Sequence, residues 1–145
     1  ETMMALATAV QSGKALYVGI SNYDGENLEK ACKILTDLKC PFIINQNRYS
    51  IFDRTIEKNG LKQTAAKLNK GIIAFSPLAQ GLLIAEQRGQ TLAEMALAWV
   101  LKDNGVTSVL IGASKTEQIL DNIKAIQNTS FSADELNAID KLSII

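Results

Sequence analysis

Gly71-Ile72-Ile73-Ala74-Phe75, running directly into Ser76-Pro77-Leu78-Ala79-Gln80-Gly81, is the stretch on which the fold turns. A short, continuously apolar run of this kind lacks the alternation of a half-exposed strand and the length of a helix. It reads as a strand buried on both faces, the mark of a parallel sheet. Three other runs share the character: Ala15–Ile20, Phe42–Asn45 and Thr107–Ile111. Each is followed by a segment of helical period, and the runs recur at about thirty residues, the length of a strand–helix–strand unit. Four such repeats predict an α/β fold on a parallel sheet, either doubly wound or barrel.

The helix starts are written out. Thr91 and Glu94, Ser114 and Glu117, and Ser132 and Glu135 each form a capping-box pair, in which hydroxyl and carboxylate satisfy each other's backbone N–H. Behind the first box, Leu92, Met95, Ala96, Trp99 and Val100 make one apolar face, so Trp99 reads as core. Phe131 and Leu136 flank the third box as a hydrophobic staple, and Asp24 is placed to cap a helix reaching about Leu38. The pattern is already helical at Glu1-Thr2-Met3-Met4, and Ile84–Arg88, closed by Gly89, is too short to be stable by itself. The expectation is a part of a longer domain, with a segment missing between Leu83 and Ile84.

Composition removes whole classes of chemistry. The 145 residues include no histidine, so neither a Ser-His or Cys-His nucleophile nor a His-built zinc site is available. Fifteen Lys and Arg balance fifteen Asp and Glu, which leaves no basic excess for a nucleic-acid partner. Cys32 and Cys40 lie eight residues apart, outside CxxC or zinc-knuckle spacing, and read as small reduced hydrophobes of a cytoplasmic protein. No apolar run reaches the ~18 residues of a membrane span. None of the nine glycines makes a GxGxxG, no GxxxxGK loop occurs, and Tyr17, Tyr23 and Tyr49 lack a Lys four residues on.

At the carboxyl ends of the four strands stand Gly19-Ile20-Ser21-Asn22, Asn45-Gln46, Phe75-Ser76-Pro77-Leu78-Ala79-Gln80-Gly81 and Ile111-Gly112-Ala113-Ser114-Lys115. In a parallel barrel these ends share the rim where ligands bind. Amides, hydroxyls, one aromatic and one Lys suit holding a flat, phosphate-bearing ligand better than moving protons. Taken singly, each has a plainer reading: Ser114 as a helix cap, Gln46 as a partner for loop backbone, Phe75 as core, Lys115 as a solvated charge. Their joint placement favours ligand binding.

These runs, with Asn45-Gln46-Asn47-Arg48-Tyr49 and with Gln118 and Asn122 behind Ser114-Lys115, resemble the second half of an aldo-keto reductase. The resemblance is closest to the branch of potassium-channel β-subunits and bacterial glyceraldehyde-3-phosphate reductases, and it covers essentially the whole chain in order. It implies the last four βα units of a (β/α)8 barrel plus a C-terminal helix, so that residues 1–145 form half of one barrel domain. It also implies NADP(H) as cofactor and an aldehyde or ketone as substrate. By that resemblance Ser21, Asn22 and Gln46 hold the nicotinamide carboxamide and Phe75 stacks on the ring. Ser76, Pro77, Leu78, Ala79, Gln80 and Gly81 line the pyrophosphate. Ser114 and Lys115 form the 2′-phosphate site, Gly112 is a further cofactor contact, and Gln118, Asp121 and Asn122 meet the adenosine, Asp121 standing where many relatives carry Glu. The family's catalytic Asp, Tyr, Lys and His match no position here, so no catalytic residue and no metal ligand is assigned. Two open sheet edges then await a complementary N-terminal barrel half or another copy of the chain. Two other uses share these residues: a redox-sensing regulatory subunit with little turnover, and an inactive half-barrel.

Overall fold

Strand alternates with helix through the computed structural model, which describes residues 1–77 and 82–142. Four strands, β1 (Val18–Ser21), β2 (Phe42–Arg48), β3 (Gly71–Phe75) and β4 (Ser108–Val109), form one sheet in the order β1-β2-β3-β4. β1 and β2 are parallel, with Gly19 opposite Ile44, Ile20 opposite Asn45 and Ser21 opposite Gln46. Every strand end was legible to within a few residues, and β3 matches its expected bounds. The contacts of the chain divide it into two units, Glu1–Asn47 with Thr55–Ile73, and Arg48–Arg54 with Ala74–Ile145.

In the first unit α1 (Thr2–Gln11) leads to β1, which begins at Val18 and not at Ala15. Leu16 and Tyr17, counted into the strand by their apolarity, are instead exposed. α2 (Gly25–Asp37) starts where expected: the Asp24 carboxylate accepts the Asn27 backbone N–H at 2.8 Å. Leu28, Ala31 and Leu35 recur at helical spacing and are all buried. Gly25 itself lies against α4 (Leu61–Lys67), reached through the short α3 (Thr55–Lys58). A Cβ on Gly25 would stand 2.6 Å from the Gly60 carbonyl oxygen, so only glycine allows this approach. β2 runs on to Arg48, past the expected end at Asn45. Its polar residues stay in the sheet because the Asn45 and Asn47 amides both donate to the Tyr23 carbonyl, at 3.1 and 3.3 Å.

The second unit is centred on α6 (Leu92–Leu101), preceded by α5 (Leu82–Gln87). The expected capping box is formed: Thr91 Oγ1 accepts the Glu94 N–H at 3.2 Å and Glu94 accepts the Thr91 N–H at 2.7 Å. Met95 to Val100 are all buried, a wider core face than the periodicity indicated, with Trp99 packed on Tyr49 at 5.3 Å. Arg54 and Lys102 lie over the Trp99 ring at 4.6 and 3.5 Å from its centroid, so the indole is core and cation-covered. β4 is shorter than the Thr107–Ile111 run, and the Leu110 N–H beyond it donates to the Ala74 carbonyl at 2.7 Å. α7 (Thr116–Lys124), a 3-10 turn (Ala125–Gln127) and α8 (Ala133–Leu142) follow. The Ser132–Glu135 box is formed at the start of α8, and Phe131, expected to staple it, lies under the Arg88 guanidinium at 3.8 Å. Among the described residues no helix is long and apolar enough to cross a membrane.

Candidate functional site

In the first unit the strand ends of β1 and β2 bring Ser21, Asn22 and Gln46 together. Ser21 Oγ donates to the Gln46 carbonyl at 3.0 Å, and the Asn22 N–H donates to the same oxygen at 2.9 Å. Asn22 has φ +61°, a left-handed turn that Asn tolerates better than most residues. This turn takes the chain out of the strand in two residues, so that Asp24 can cap α2. The half-buried Gln46 side chain makes no hydrogen bond to a described residue.

In the second unit the ends of β3 and β4 open on a cavity of about 510 Å³. Its lining is Phe75, Ser76, Pro77, Leu110, Ile111, Gly112 and Asn122. Phe75 is half-buried, neither sealed in the core nor fully in water. Ser76 has φ +53°, a conformation costly for a residue with a side chain and often concentrated where ligands bind. No described neighbour would meet a Cβ on Gly112 within 4 Å. Of the lining residues, Ile111 stands in the strand-end run without a role of its own in the motif, and Leu110 lies outside it. Their signal was the apolar pair standing directly before Gly112 at a strand end.

The start of α7 differs from expectation. Ser114 and Glu117 do not form a capping box. The Gln118 side-chain oxygen, Oε1, instead accepts the Ser114 N–H at 2.8 Å, the Lys115 N–H at 3.2 Å and the Ser114 hydroxyl at 3.3 Å. One residue further along the helix, Gln118 reaches two backbone donors at once, and Lys115 takes the cap position. The Lys115 ammonium has no acidic partner among the described residues and is exposed. Asp121 is held by Lys124 at 2.8 Å, a bond that also raises the Lys124 pKa above the usual lysine value. Asn122 is half-buried and turned into the cavity wall. Leu78, Ala79, Gln80 and Gly81 lie outside the described residues. No group of acidic or Cys residues among the described ones could hold a metal ion.

The Aldo/keto reductase family model matches residues 1–86 and 83–144. The chain is 42% identical over 183 residues to the L-glyceraldehyde 3-phosphate reductase of Escherichia coli (strain K12), across 97% of this chain and 53% of that protein. It is 31% identical to the uncharacterized oxidoreductase YrpG of Bacillus subtilis (strain 168), across 88% of this chain and 49% of that one. A crystal structure of the thermostable aldo-keto reductase Tm1743, with the inhibitor epalrestat, superimposes with a TM-score of 0.81 at 30% identity. That match covers 98% of this chain and 54% of the other. The chain thus spans about half the length of the relatives it matches, and the strand–helix repeat is that of a (β/α)8 fold.

Proposed function

Because the chain belongs to the aldo/keto reductase family, we propose that it is the cofactor-holding part of an NADP(H)-dependent oxidoreductase acting on aldehydes or ketones. The observation that carries this reading is the cavity of the second unit. Phe75, Ser76, Pro77, Gly112 and Asn122, each expected from its motif to meet the cofactor, line it together. When bound, the cofactor supplies the hydride. The chain's own residues bind and orient.

In this reading the Gln46 amide and the Ser21 and Asn22 side chains fix the carboxamide, which sets the ring face shown to substrate. Phe75 gives a stacking surface, and the open space at Gly112 lets the phosphates come close to backbone. Lys115, without an acidic partner among the described residues, supplies the cation that favours a 2′-phosphate. Gln118 and Asp121 are engaged in bonds within α7, so their adenosine contacts require the Gln118 NH2 group and the second Asp121 oxygen. No residue here is assigned proton transfer, which falls to the part of the protein that this chain does not span. The E. coli relative's name makes a small phosphorylated aldehyde the first substrate to try. A further support bears on the segment expected between Leu83 and Ile84. The alignment to that relative runs to 183 residues, longer than this 145-residue chain, and the two family matches meet at residues 83–86.

Titration of the chain with NADPH and NADH, followed by calorimetry, tests the reading. NADPH is expected to bind more tightly, and Lys115→Ala to weaken it roughly ten-fold while leaving NADH unchanged, the loss of one charge-assisted contact. Equal binding of both nucleotides before and after the substitution, or binding of neither, overturns it. A steady-state NADPH-oxidation assay with aldehydes is expected to show no turnover by the chain alone, and measurable turnover would refute that part.

A further inference from the structure

Arg48, the last residue of β2, stands out in its strand. Its neighbours in the chain, Asn47 and Tyr49, are both buried, yet its own side chain is 64% exposed. Successive residues of an extended strand point to opposite faces. With Tyr49 packed on Trp99 in the core, the Arg48 guanidinium goes to the other, uncovered face. The next strand shows the same alternation, since Ala74 is fully buried and Phe75 only half-buried. The Tyr49 N–H donates to the Phe75 carbonyl at 3.3 Å, a bond that makes Arg48 and Phe75 neighbours at the carboxyl end of the sheet. Arg48, Tyr49 and Phe75 all belong to the second unit.

The guanidinium is also unsatisfied. Arg54 and Arg88, the other two arginines, hold carboxylates at 2.7 and 2.9 Å. The carboxylate beside Arg48, that of Asp53, is 3.9 Å from Nε, too far for a hydrogen bond, and the Arg48 side chain makes no other polar contact among the described residues. The anion that suits it is not one of the cofactor's. In the reading above the nicotinamide lies on Phe75, and the phosphates run toward Gly112 and Lys115, beyond β4. Arg48 stands on β2, on the far side of β3, and is not part of the cavity lining. A group that reaches it therefore belongs to the other ligand, the carbonyl compound that meets the ring. We propose that Arg48 selects the substrate: its guanidinium binds a phosphate monoester carried by the aldehyde or ketone, two N–H groups to two phosphate oxygens, and so holds the carbonyl over the ring. The assignment rests on the cofactor reading, from which it takes the position of the ring.

The test is titration of the full chain, saturated with NADPH so that Lys115 is occupied, with glycerol 3-phosphate, a three-carbon phosphate ester without a reactive carbonyl. Glycerol is the uncharged control, and nitrogen-15 NMR is the readout. The Arg48 Nε–H signal and the Phe75 and Ser76 amide signals are expected to shift with the ester and not with glycerol. Arg48→Gln is expected to weaken ester binding roughly ten-fold, the loss of a charge-assisted pair of hydrogen bonds. Arg48→Lys, which keeps the charge without the planar fork, is expected to lose less. An Arg48 signal that does not respond, an ester affinity that Arg48→Gln leaves unchanged, or a loss of NADPH affinity as large as the loss of ester affinity overturns the proposal. The same titration of Lys115→Ala without nucleotide keeps this outcome apart from the cofactor reading. There the ester is expected still to shift the Arg48 signal. A chain that shows this shift but fails to bind NADPH loses the cofactor reading and keeps Arg48 as the anion site, whereas a chain that binds NADPH without the shift loses Arg48 alone.

Discussion

α2 and α7 carry the same kind of message and meet different fates. Both place apolar residues at helical spacing along one side and charges on the other. In α2 that side is closed, with Leu28 and Leu35 at 0% exposure, because α1 and α4 pack on it. In α7 it stays in water although α6 and the 3-10 turn touch the helix. Periodicity therefore states which face needs a cover, and the cover depends on what else is in the molecule. The largest test of this contrast is a pair of truncations in the chain alone. Leu28→Ala is expected to lower stability by about 2–5 kcal/mol, the usual range for a buried leucine. Leu120→Ala is expected to stay within about 0.5 kcal/mol, since it removes no buried contact. Urea unfolding of the two variants measures both, and a large loss at Leu120 would mean that α7 is covered in solution.

Two glycines extend the contrast from helix faces to backbone. A Cβ at Gly25 would meet Gly60 backbone atoms at 2.6 and 2.7 Å, which do not yield as a flexible side chain would. Gly25→Ala is expected to cost about 1–3 kcal/mol, as overpacking does elsewhere. A Cβ at Gly112 meets no described residue within 4 Å. Gly112→Ala should leave the urea midpoint nearly unchanged and weaken NADPH binding several-fold by narrowing the cavity mouth. If Gly112→Ala lost stability and kept full NADPH binding, the glycine would serve the fold and not the ligand.

What was legible in the sequence follows the same division. Where an element is closed by local chemistry, the reading held: Asp24 caps α2, Thr91 and Glu94 cap α6, and Gly71–Phe75 is β3. Errors arose where apolarity and burial part company. Leu16 and Tyr17 are apolar but exposed, so β1 was drawn too long. Asn45 and Asn47 are polar but buried on a shared carbonyl, so β2 was drawn too short. Thr107–Ile111 has the composition of a strand with neighbours on both sides, whereas β4 has one and keeps two residues. The candidate site was legible as residue types at strand ends. The Gln118 cap was not, because Glu117 and Gln118 both suit an N-terminal turn and only three-dimensional reach chooses between them.

That choice gives a smaller prediction. Asp24→Ala removes the acceptor for the Asn27 N–H and should cost about 1 kcal/mol, the usual value of a helix cap. Ser114→Ala should cost no more than a few tenths, because the two N–H groups there are taken by Gln118 and not by the Ser114 hydroxyl. Gln118→Ala is expected to have the effect that the sequence assigned to Ser114. Equal losses for Ser114→Ala and Gln118→Ala would restore the hydroxyl as a cap.

The finest contrast lies within the second unit, between the start of α7, which no ion pair holds among the described residues, and the start of α8, which one does. Glu135 accepts the Ser132 backbone N–H at 2.7 Å, and this bond first, then the Arg88 guanidinium at 2.9 Å, holds its carboxyl below the ordinary glutamate pKa against the opposing effect of burial. A carboxylate with a lowered folded-state pKa stabilises the fold above its unfolded value, about 4.3, and that contribution is lost as pH falls through the folded value. Protonation would leave Arg88, whose side chain is 4% exposed, with the Asn128 carbonyl, the Gln90 amide oxygen and the Phe131 ring as its neutral partners among the described residues. Glu135→Gln keeps the shape and removes the titration. The difference in urea midpoint between the natural chain and this variant should be present at pH 7 and shrink steadily below about pH 4. Amide exchange should show the start of α8 loosening over the same range while α2, whose buried face titrates nothing, stays protected. A midpoint difference independent of pH would show that the Glu135 charge contributes nothing.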